Sequence, residues 1–141
     1  MKKIIIINGP NLNLLGSREK EIYGDKTLKE IESECKSYFL KKKIKVEFTQ
    51  SNSESKIINT IHKAREYDGL IINAGAFTHT SIAIHDALKI LKIPKIEVHI
   101  SNIYSREEFR KKSFISPVVN GIIAGFGTNV YHIAIDSLRY Y

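Results

Sequence analysis

Three arginines of the sequence, Arg18, Arg106 and Arg110, lie among polar residues in stretches expected to be loops. Guanidinium groups recognise carboxylates through paired N–H donors, so this placement suits a small anionic substrate. Glu97 and His99 are separated by a single residue, which puts both side chains on one face of an extended strand, where the carboxylate can hold the imidazole in one orientation. The spacing therefore predicts an anion site that includes an oriented histidine.

Short apolar, β-branched runs alternate with amphipathic stretches along the chain, a pattern typical of repeated βα units and a mainly parallel sheet. The predicted strands cover residues 3–8, 44–50, 70–73, 95–99 and 121–125. The first and third are almost continuously apolar, as expected when helices cover both faces, whereas the second alternates and is predicted to be an edge strand. We therefore expect an α/β fold, a flavodoxin-like doubly wound five-stranded parallel sheet with helices on both faces.

The first predicted helix opens with a capping-box pattern from Thr27 to Glu30. Apolar residues then recur at helical spacing, and these are Leu28, Ile31, Cys35, Tyr38 and Phe39. Further helices are predicted at about residues 53–66, 80–91 and 129–140. Because Cys35 falls on the apolar face of its helix, we expect it to be a thiol of the core.

Polar residues follow the first, third and fourth predicted strands, at residues 8–13, 73–80 and 97–102. Ligands of doubly wound sheets bind outside the carboxyl ends of the strands, so these three clusters are expected to share one rim. The connection from Gly9 to Lys26 is much longer than the roughly two to six residues usual between a strand and a helix. We expect residues 17–25 of this connection, which include Arg18 and Tyr23, to act as a lid.

A chain of 141 residues can bury one sizeable core, and we expect a single catalytic domain over residues 1–141. A hydrophobic content of 43% is too high for a disordered chain. Cys35 is the only cysteine, which excludes an intrachain disulfide and a cysteine-based metal site. No apolar run is long enough for a membrane helix and the start leads directly into a strand, so we expect a cytoplasmic protein without a membrane partner.

The formal net charge of +7 raises the question of a nucleic-acid partner. The densest basic run, Lys41 to Lys43, falls at the end of a predicted helix, where cations complement the helix dipole and stay hydrated. This run is therefore interpreted as a solvated surface, and no nucleic acid is expected as a partner.

Several segments of the sequence resemble the motifs of type II 3-dehydroquinate dehydratases. They are residues 8–16, Arg18-Glu19, Ile22-Tyr23-Gly24, Asn73-Ala74-Gly75, residues 78–81, 97–102 and 106–110, and Ser116-Pro117. Their order and spacing agree with the family over essentially the whole chain. One departure is Lys20, where the family usually has proline, and it bears only on the stiffness of the lid.

The resemblance implies a hydro-lyase that reversibly removes water from 3-dehydroquinate to give 3-dehydroshikimate, through an enolate and with anti stereochemistry. This reaction belongs to the shikimate pathway, which leads to chorismate and the aromatic amino acids. The resemblance also implies catalysis by side chains alone, with no cofactor and no metal. It further implies a homo-oligomer, with trimers arranged into a dodecamer.

On matching positions, the resemblance makes Tyr23 the base that removes the proton beside the ketone and His99 the acid that protonates the departing hydroxyl. Glu97 would hold the imidazole of His99 in the required orientation. A phenol is a poor base at neutral pH, so Tyr23 needs a nearby cation, for which Arg18 and Arg106 are the candidates.

The resemblance assigns the remaining matched positions to the enolate and to substrate binding. Asn11 would help to stabilise the enolate oxygen through a held water. Asp86 matches a position that reaches the active site of a neighbouring subunit. The substrate-binding positions are Asn73, His79, Asp86, Ile100, Ser101, Arg106 and Arg110, and the backbone of Ile100 and Ser101 together with the Ser101 hydroxyl would grip the carboxylate.

The fold alone would also allow a flavodoxin-like phosphate- or nucleotide-binding module. A phospho-receiver domain needs acidic residues after the first strand, and a flavin carrier needs a loop rich in Ser, Thr and Gly there, whereas residues 8–16 are rich in Asn and Leu. His79, Glu97 and His99 could imitate metal ligands, but Glu97 and His99 are better explained as an acid and its orienting carboxylate. The sequence therefore favours the dehydratase over both alternatives.

Overall fold

The computed structural model describes residues 1–141, and its centre is a five-stranded parallel sheet with the strand order β2-β1-β3-β4-β5. The strands are β1 Lys2–Asn8, β2 Ile44–Gln50, β3 Gly69–Asn73, β4 Lys95–His99 and β5 Gly121–Ala124. The predicted strand ranges agree with these bounds to within one residue at each end. The flavodoxin-like fold expected from the sequence is confirmed.

Helices cover both faces of this sheet. Their bounds are α1 Lys20–Tyr23, α2 Leu28–Leu40, α3 Glu54–Lys63, α4 Ile82–Ile90 and α5 Asn129–Ser137. None of them is long and apolar enough to cross a membrane. The capping box that the sequence predicts at the start of α2 is present, because the Thr27 side chain accepts the Glu30 N–H while the Glu30 carboxylate accepts the Thr27 N–H.

The central strands are apolar throughout because each of their faces is covered. Ile4 and Ile6 of β1 belong to a core with α2 and α5, whereas Ile5 and Ile7 belong to a second core with α3 and α4. Strand β2 pairs only with β1, so the predicted edge position is confirmed. Alternation of side chains along a strand thus divides one run of isoleucines between two cores.

Several predicted helix limits were wrong by a few residues. Helix α4 begins at Ile82 rather than near residue 80, because Gly75–His79 forms a 3-10 helix and the Ser81 hydroxyl then caps the Ile84 N–H. Helices α3 and α5 each give way to a 3-10 turn before the predicted end, at Ala64–Glu66 and Leu138–Tyr140. Tight turns of this kind are common at helix ends and are not visible in apolar spacing.

Helix α2 carries the predicted core thiol, and Cys35 is buried. Burial raises the pKa of this thiol to about 11, so the group is neutral and acts as a small apolar side chain. Tyr38 was expected on the same apolar face but is 42% exposed, with the Lys42 ammonium above its ring. The apolar stripe of α2 is therefore narrower than the spacing indicated.

The carboxyl ends of β1 and β3 lie side by side and bring two of the predicted polar clusters together. Asn8 and Asn73 are aligned in the sheet register, and the Gly9 N–H donates to the Asn73 carbonyl over 2.8 Å. A Cβ atom at position 9 would lie 2.3 Å from the Ala74 carbonyl oxygen, so this approach requires glycine. The backbone itself therefore positions the first and second clusters at one rim.

Candidate active site

A cleft opens at the carboxyl ends of the strands, at the rim that the sequence predicts. It holds about 590 Å³ of space, including the part that is open to solvent. All predicted site residues line this cleft except Glu97, which lies behind His99, and Asp86. The lining residues that had been predicted are Asn11, Arg18, Tyr23, Asn73, His79, His99, Ile100, Ser101, Arg106 and Arg110.

The phenol of Tyr23 lies between two guanidinium groups. Arg106 Nη1 donates to the phenol oxygen over 2.9 Å and Arg18 Nη2 over 3.4 Å, and both guanidinium carbons also lie within 4.6–5.2 Å of the ring centroid. Tyr23 belongs to α1 in the long connection after β1, whereas Arg106 follows β4. Two cations beside one phenol oxygen stabilise a phenolate more than a neutral phenol.

His99 and Glu97 form a buried pair at the end of β4. His99 Nε2 and Glu97 Oε2 are 2.6 Å apart, and the exposed fractions of the two side chains are 6% and 1%. Both residues point to one side of the strand, as the spacing predicted. Because the carboxylate takes the Nε2 hydrogen, the other ring nitrogen, Nδ1, is left for the cleft.

The carboxylate of Glu97 accepts three hydrogen bonds. Besides His99, it accepts from the Ser113 hydroxyl over 2.9 Å and from the Ser116 hydroxyl. Burial by itself would raise the pKa of Glu97, but the hydrogen bond and charge of His99 and the two hydroxyl donors outweigh burial and hold the pKa below its usual range. Glu97 is therefore ionised at neutral pH.

His79 lies beside His99, with the two rings stacked at a centroid distance of 6.4 Å. Its Nδ1 donates to the Lys112 carbonyl over 2.7 Å, so Nε2 is the remaining ring nitrogen of this tautomer. Burial is the main cause that lowers the pKa of His79; the carbonyl contact opposes it, and the charges of His99 and Arg110 add to the lowering. His79 is therefore a neutral group next to an ionisable one.

Asn73 is held by a buried network that joins three sequence-distant elements. Its Nδ2 donates to the Tyr131 hydroxyl over 3.1 Å, and that hydroxyl donates to Asn8 Oδ1 over 2.6 Å. The Asn73 Oδ1 accepts the Gly75 N–H over 3.2 Å. Burial raises the pKa of Tyr131, so its phenol stays neutral and can act as donor and acceptor at once. The network therefore fixes the orientation of the Asn73 amide, which is buried and also lines the cleft.

Removal of the Tyr131 hydroxyl is expected to destabilise the protein. In Tyr131→Phe, Asn8 Oδ1 and Asn73 Nδ2 each lose a buried partner, which should lower the free energy of unfolding by about 1–3 kcal/mol. Urea unfolding followed by circular dichroism measures this change. Tyr104→Phe is the matched control, because Tyr104 is 58% exposed. Equal stability of the two variants would contradict this account of the network.

Two further predicted residues, Asn11 and Ser101, line the cleft. Asn11 is exposed and adopts a left-handed backbone conformation with φ of 68°, and its N–H donates to Asn52 Oδ1 over 3.1 Å. The Ser101 hydroxyl accepts from Arg106 Nη1 over 3.0 Å, so its own hydrogen can be donated elsewhere. Arg106 thus links the loop after β4 to Tyr23.

Two other predicted residues, Arg110 and Asp86, differ in whether they reach the cleft. Arg110 lines the cleft, and its Nε donates to Glu107 Oε2 over 3.1 Å, so part of the guanidinium is still free. Asp86 lies on α4, is exposed and does not line the cleft of its own chain. The chain by itself therefore brings Arg110, but not Asp86, to the site.

Several residues that support the site have no role that could be predicted from the sequence. Ser113, Ser116 and Tyr131 contact Glu97 and Asn73 directly, and the Lys112 carbonyl sets the tautomer of His79. Ser116 had been noted only as part of a motif, and Ser113 and Tyr131 carry no local signal, since their partners lie 16 and 58 residues away. The cleft is also lined by Pro10, Leu12, Gly75, Ala76 and Ile103.

The arrangement can bind an anion and move protons. The described residues contain no group of three or more His, Cys, Asp or Glu side chains that could hold a metal ion. Arg18, Arg106 and Arg110 bring guanidinium donors to the cleft, and His99 and Tyr23 line the same space. A small anion with one acidic proton and one leaving group would therefore meet a base and an acid in one cleft.

The sequence profile of the family described as Dehydroquinase class II matches residues 2–139. The 3-dehydroquinate dehydratase of Rhizobium johnstonii is 50% identical, over 96% of this chain and 94% of that protein. The 3-dehydroquinate dehydratase of Caldicellulosiruptor saccharolyticus is 54% identical, over 99% of this chain and 97% of that protein. These matches extend over nearly the full length of both relatives.

The fold comparison leads to the same family. The crystal structure of a type II dehydroquinase from Butyrivibrio crossotus superimposes with a TM-score of 0.96 at 50% identity, covering 98% of this chain and 97% of that one. The chain belongs to the class II dehydroquinase family.

Proposed function

We propose that this protein is a hydro-lyase that reversibly removes water from 3-dehydroquinate to give 3-dehydroshikimate, by anti elimination through an enolate. The observation that carries the proposal is the Tyr23 phenol held between Arg18 and Arg106 in the cleft that also contains His99. The curated relatives named 3-dehydroquinate dehydratase support the same substrate. Residues 1–141 act as one catalytic domain.

Substrate binding relies on donors that surround a small polyol carboxylate. The backbone of Ile100 and Ser101, with the Ser101 hydroxyl, grips the carboxylate, and Arg110 adds a guanidinium at the same wall of the cleft. Asn73 and His79 contact the ring hydroxyls through the amide that Tyr131 orients and the ring nitrogen that Lys112 leaves free. Fixed donors of this kind reduce the entropy lost when the substrate is held.

The first chemical step is removal of the proton beside the ketone by the Tyr23 phenolate. The C–H electron pair moves into the ring and makes an enolate, while the phenol oxygen takes the proton. Arg18 and Arg106 stabilise the phenolate before the step. Asn11 stabilises the new negative charge on the enolate oxygen through a held water, as preorganised dipoles do.

The second step is loss of the hydroxyl group. The enolate electrons form the carbon–carbon double bond, the C–O bond breaks, and the hydroxyl takes a proton from His99 Nδ1 and leaves as water. Glu97 stays ionised behind the ring and stabilises the imidazolium that the step consumes. The cycle closes when the Tyr23 proton is lost to solvent and His99 takes one up.

Residues 17–25 form the lid over this reaction. The two ends of the loop meet closely, since a Cβ atom on Gly16 would lie 2.8 Å from the Asp25 carbonyl oxygen. Gly16 and Gly24 have φ of 89° and 81°, and such positions can change conformation at little cost. The lid brings Tyr23 to Arg106 when it closes and excludes water from the enolate.

The protein assembles into a dodecamer built from trimers and acts in the cytoplasm, in the shikimate pathway that supplies chorismate and the aromatic amino acids. The exposed position of Asp86, outside the cleft of its own chain, supports a role at the site of a neighbouring subunit. Analytical ultracentrifugation of the wild type tests the assembly, and the activity of Asp86→Asn tests the role of Asp86 at the neighbouring site. A fully active monomer would contradict them.

The activity is tested by mixing the purified protein with 3-dehydroquinate, with a chelator present, and following the ultraviolet band of the conjugated enone product. A substrate labelled with deuterium on one face of the acidic carbon reports the stereochemistry. Anti elimination removes the label opposite the departing hydroxyl. Folded protein that gives no enone band would refute the proposal.

Arg110→Ala is expected to weaken substrate binding more than it slows turnover. The guanidinium contacts the bound anion in the ground state and the transition state alike, so its loss should raise KM by about tenfold to a hundredfold with a small change in kcat. Lys111→Ala is the matched control, because its ammonium pairs with exposed Glu108 and does not line the cleft. A fall in kcat with KM unchanged would instead place Arg110 in the chemical step.

A further inference from the structure

The hydroxyl groups of Ser113 and Ser116 both donate to the carboxylate of Glu97. Ser116 Oγ donates to Glu97 Oε1, and Ser113 Oγ donates to Oε2 over 2.9 Å, beside His99 Nε2 at 2.6 Å. Both carboxylate oxygens of a side chain that is 1% exposed are thereby occupied by donors. This environment accepts a charged carboxylate far better than a neutral carboxyl group.

The backbone fixes the direction in which Ser113 donates. Its oxygen accepts the N–H groups of Ile115 and Ser116, each over 3.0 Å, so the lone pairs of the hydroxyl are in use. The hydroxyl hydrogen is then directed to Glu97, and a proton placed on Glu97 Oε2 would meet an oxygen that cannot accept it. The turn after Lys112 therefore acts as a fixed donor to the carboxylate.

The hydroxyls of Ser113 and Ser116 matter because they influence whether His99 or Glu97 holds a proton. One proton can lie on His99 or on Glu97, and only the first arrangement supplies an acid to the cleft. The nearby ionisable groups are His79, whose pKa is lowered by burial, and Arg110, Arg106, Arg18 and Tyr23 on the cleft wall. None of these groups hydrogen-bonds to Glu97.

We infer that Ser113 and Ser116 are positioning residues that keep Glu97 ionised and aimed at His99, so that His99 holds the proton which it gives to the leaving group. The inference rests on the proposed function, in which His99 is the acid. Burial alone would raise the pKa of Glu97, and both serine hydroxyls are among the donors that hold it below its usual range. The donors thus act on His99 through Glu97.

Ser116→Ala is the primary test, since the Ser116 hydroxyl contacts only Glu97, whereas the Ser113 hydroxyl also accepts two backbone N–H groups. With a donor lost, Glu97 binds a proton more readily, so a smaller share of the proton that the pair holds lies on His99. The plateau of kcat, which requires protonated His99, should fall, and the alkaline limb should move to higher pH because the pair as a whole binds its proton more tightly. The acidic limb should stay in place.

Two controls separate this effect from a loss of structure. Ser116→Thr keeps a hydroxyl at the same position and should restore the wild-type profile. Ser137→Ala removes a hydroxyl that donates to the Ala134 carbonyl in α5 and should not change the profile. A lower kcat in Ser116→Ala with an unmoved alkaline limb would assign the serines a structural role only.

A spectroscopic measurement keeps the inference independent of the activity. In protein with ¹⁵N-labelled histidine, the His99 ring signals report proton loss directly, and the midpoint should rise in Ser116→Ala. A wild type without dehydratase activity refutes the proposed function but leaves this titration measurable. An unchanged His99 midpoint overturns the inference even in an active enzyme.

Discussion

Replacement of Tyr23 by phenylalanine is expected to lower kcat by about two to four orders of magnitude, the range typical for loss of a general base. Only the phenol oxygen disappears, and the ring can keep its packing against Arg18 and Arg106. KM should change little, because the oxygen acts on a carbon-bound proton rather than on a binding group. Initial rates at saturating 3-dehydroquinate measure the loss.

The control for this variant is Tyr38→Phe. Tyr38 is 42% exposed on α2 and does not line the cleft, so this substitution should leave kcat unchanged. Urea unfolding of both variants checks that neither has lost its fold. Turnover of Tyr23→Phe near the wild-type rate would show that another group removes the proton.

The second large effect is expected at His99. Removal of the imidazole in His99→Ala should lower kcat by about two to four orders of magnitude, because the hydroxyl would then leave without a proton donor. The variant also leaves the Glu97 carboxylate buried without its imidazole partner, and breaking such a pair costs about 3–5 kcal/mol of stability. A second variant is therefore needed to separate chemistry from folding.

His99→Gln serves that purpose. Its amide nitrogen can donate to Glu97 in place of His99 Nε2, but the amide cannot act as a proton donor of suitable acidity. We expect kcat to fall as in His99→Ala while the unfolding free energy stays closer to that of the wild type. A stable His99→Gln variant with near-normal kcat would contradict the assignment of His99 as the acid.

A substrate with a better leaving group should affect the Tyr23→Phe and His99→Gln variants differently. The proposed mechanism uses His99 only when the C–O bond breaks, so a substrate analogue whose leaving group needs no proton should restore turnover in His99→Gln. The same analogue should not restore Tyr23→Phe, because removal of the carbon-bound proton comes first. Rescue of both variants, or of Tyr23→Phe alone, would contradict the order of the steps.

Much of the fold could be predicted because its signals are local. The isoleucines of β1 are apolar at every position, and this run is compatible with a strand covered on both faces. The alternating β2 was correctly predicted as the edge. Helix limits were less accurate, since the 3-10 turns at Gly75–His79 and Ala64–Glu66 depend on hydrogen bonds of the folded backbone rather than on apolar spacing.

Part of the candidate site could also be predicted because its signals are local. Glu97 and His99 share a strand face because of the period of two, and the pair is present at 2.6 Å. The rule that ligands bind at the carboxyl ends of parallel strands placed the polar clusters at one rim, and the cleft lies there. The catalytic roles of these residues are still predictions, which the Tyr23 and His99 variants test.

The sequence by itself determined the strand pattern, the edge strand, the capping box and the spacing of Glu97 and His99, because each depends on neighbours within a turn or a strand. Only the tertiary structure decided that Arg106 reaches Tyr23 across 83 residues and that Tyr131 reaches Asn8 across 123 residues. It also decided that Ser113 and Ser116 hold Glu97. Such contacts join side chains from loops whose meeting depends on how all the layers pack, and no local period of the sequence encodes them.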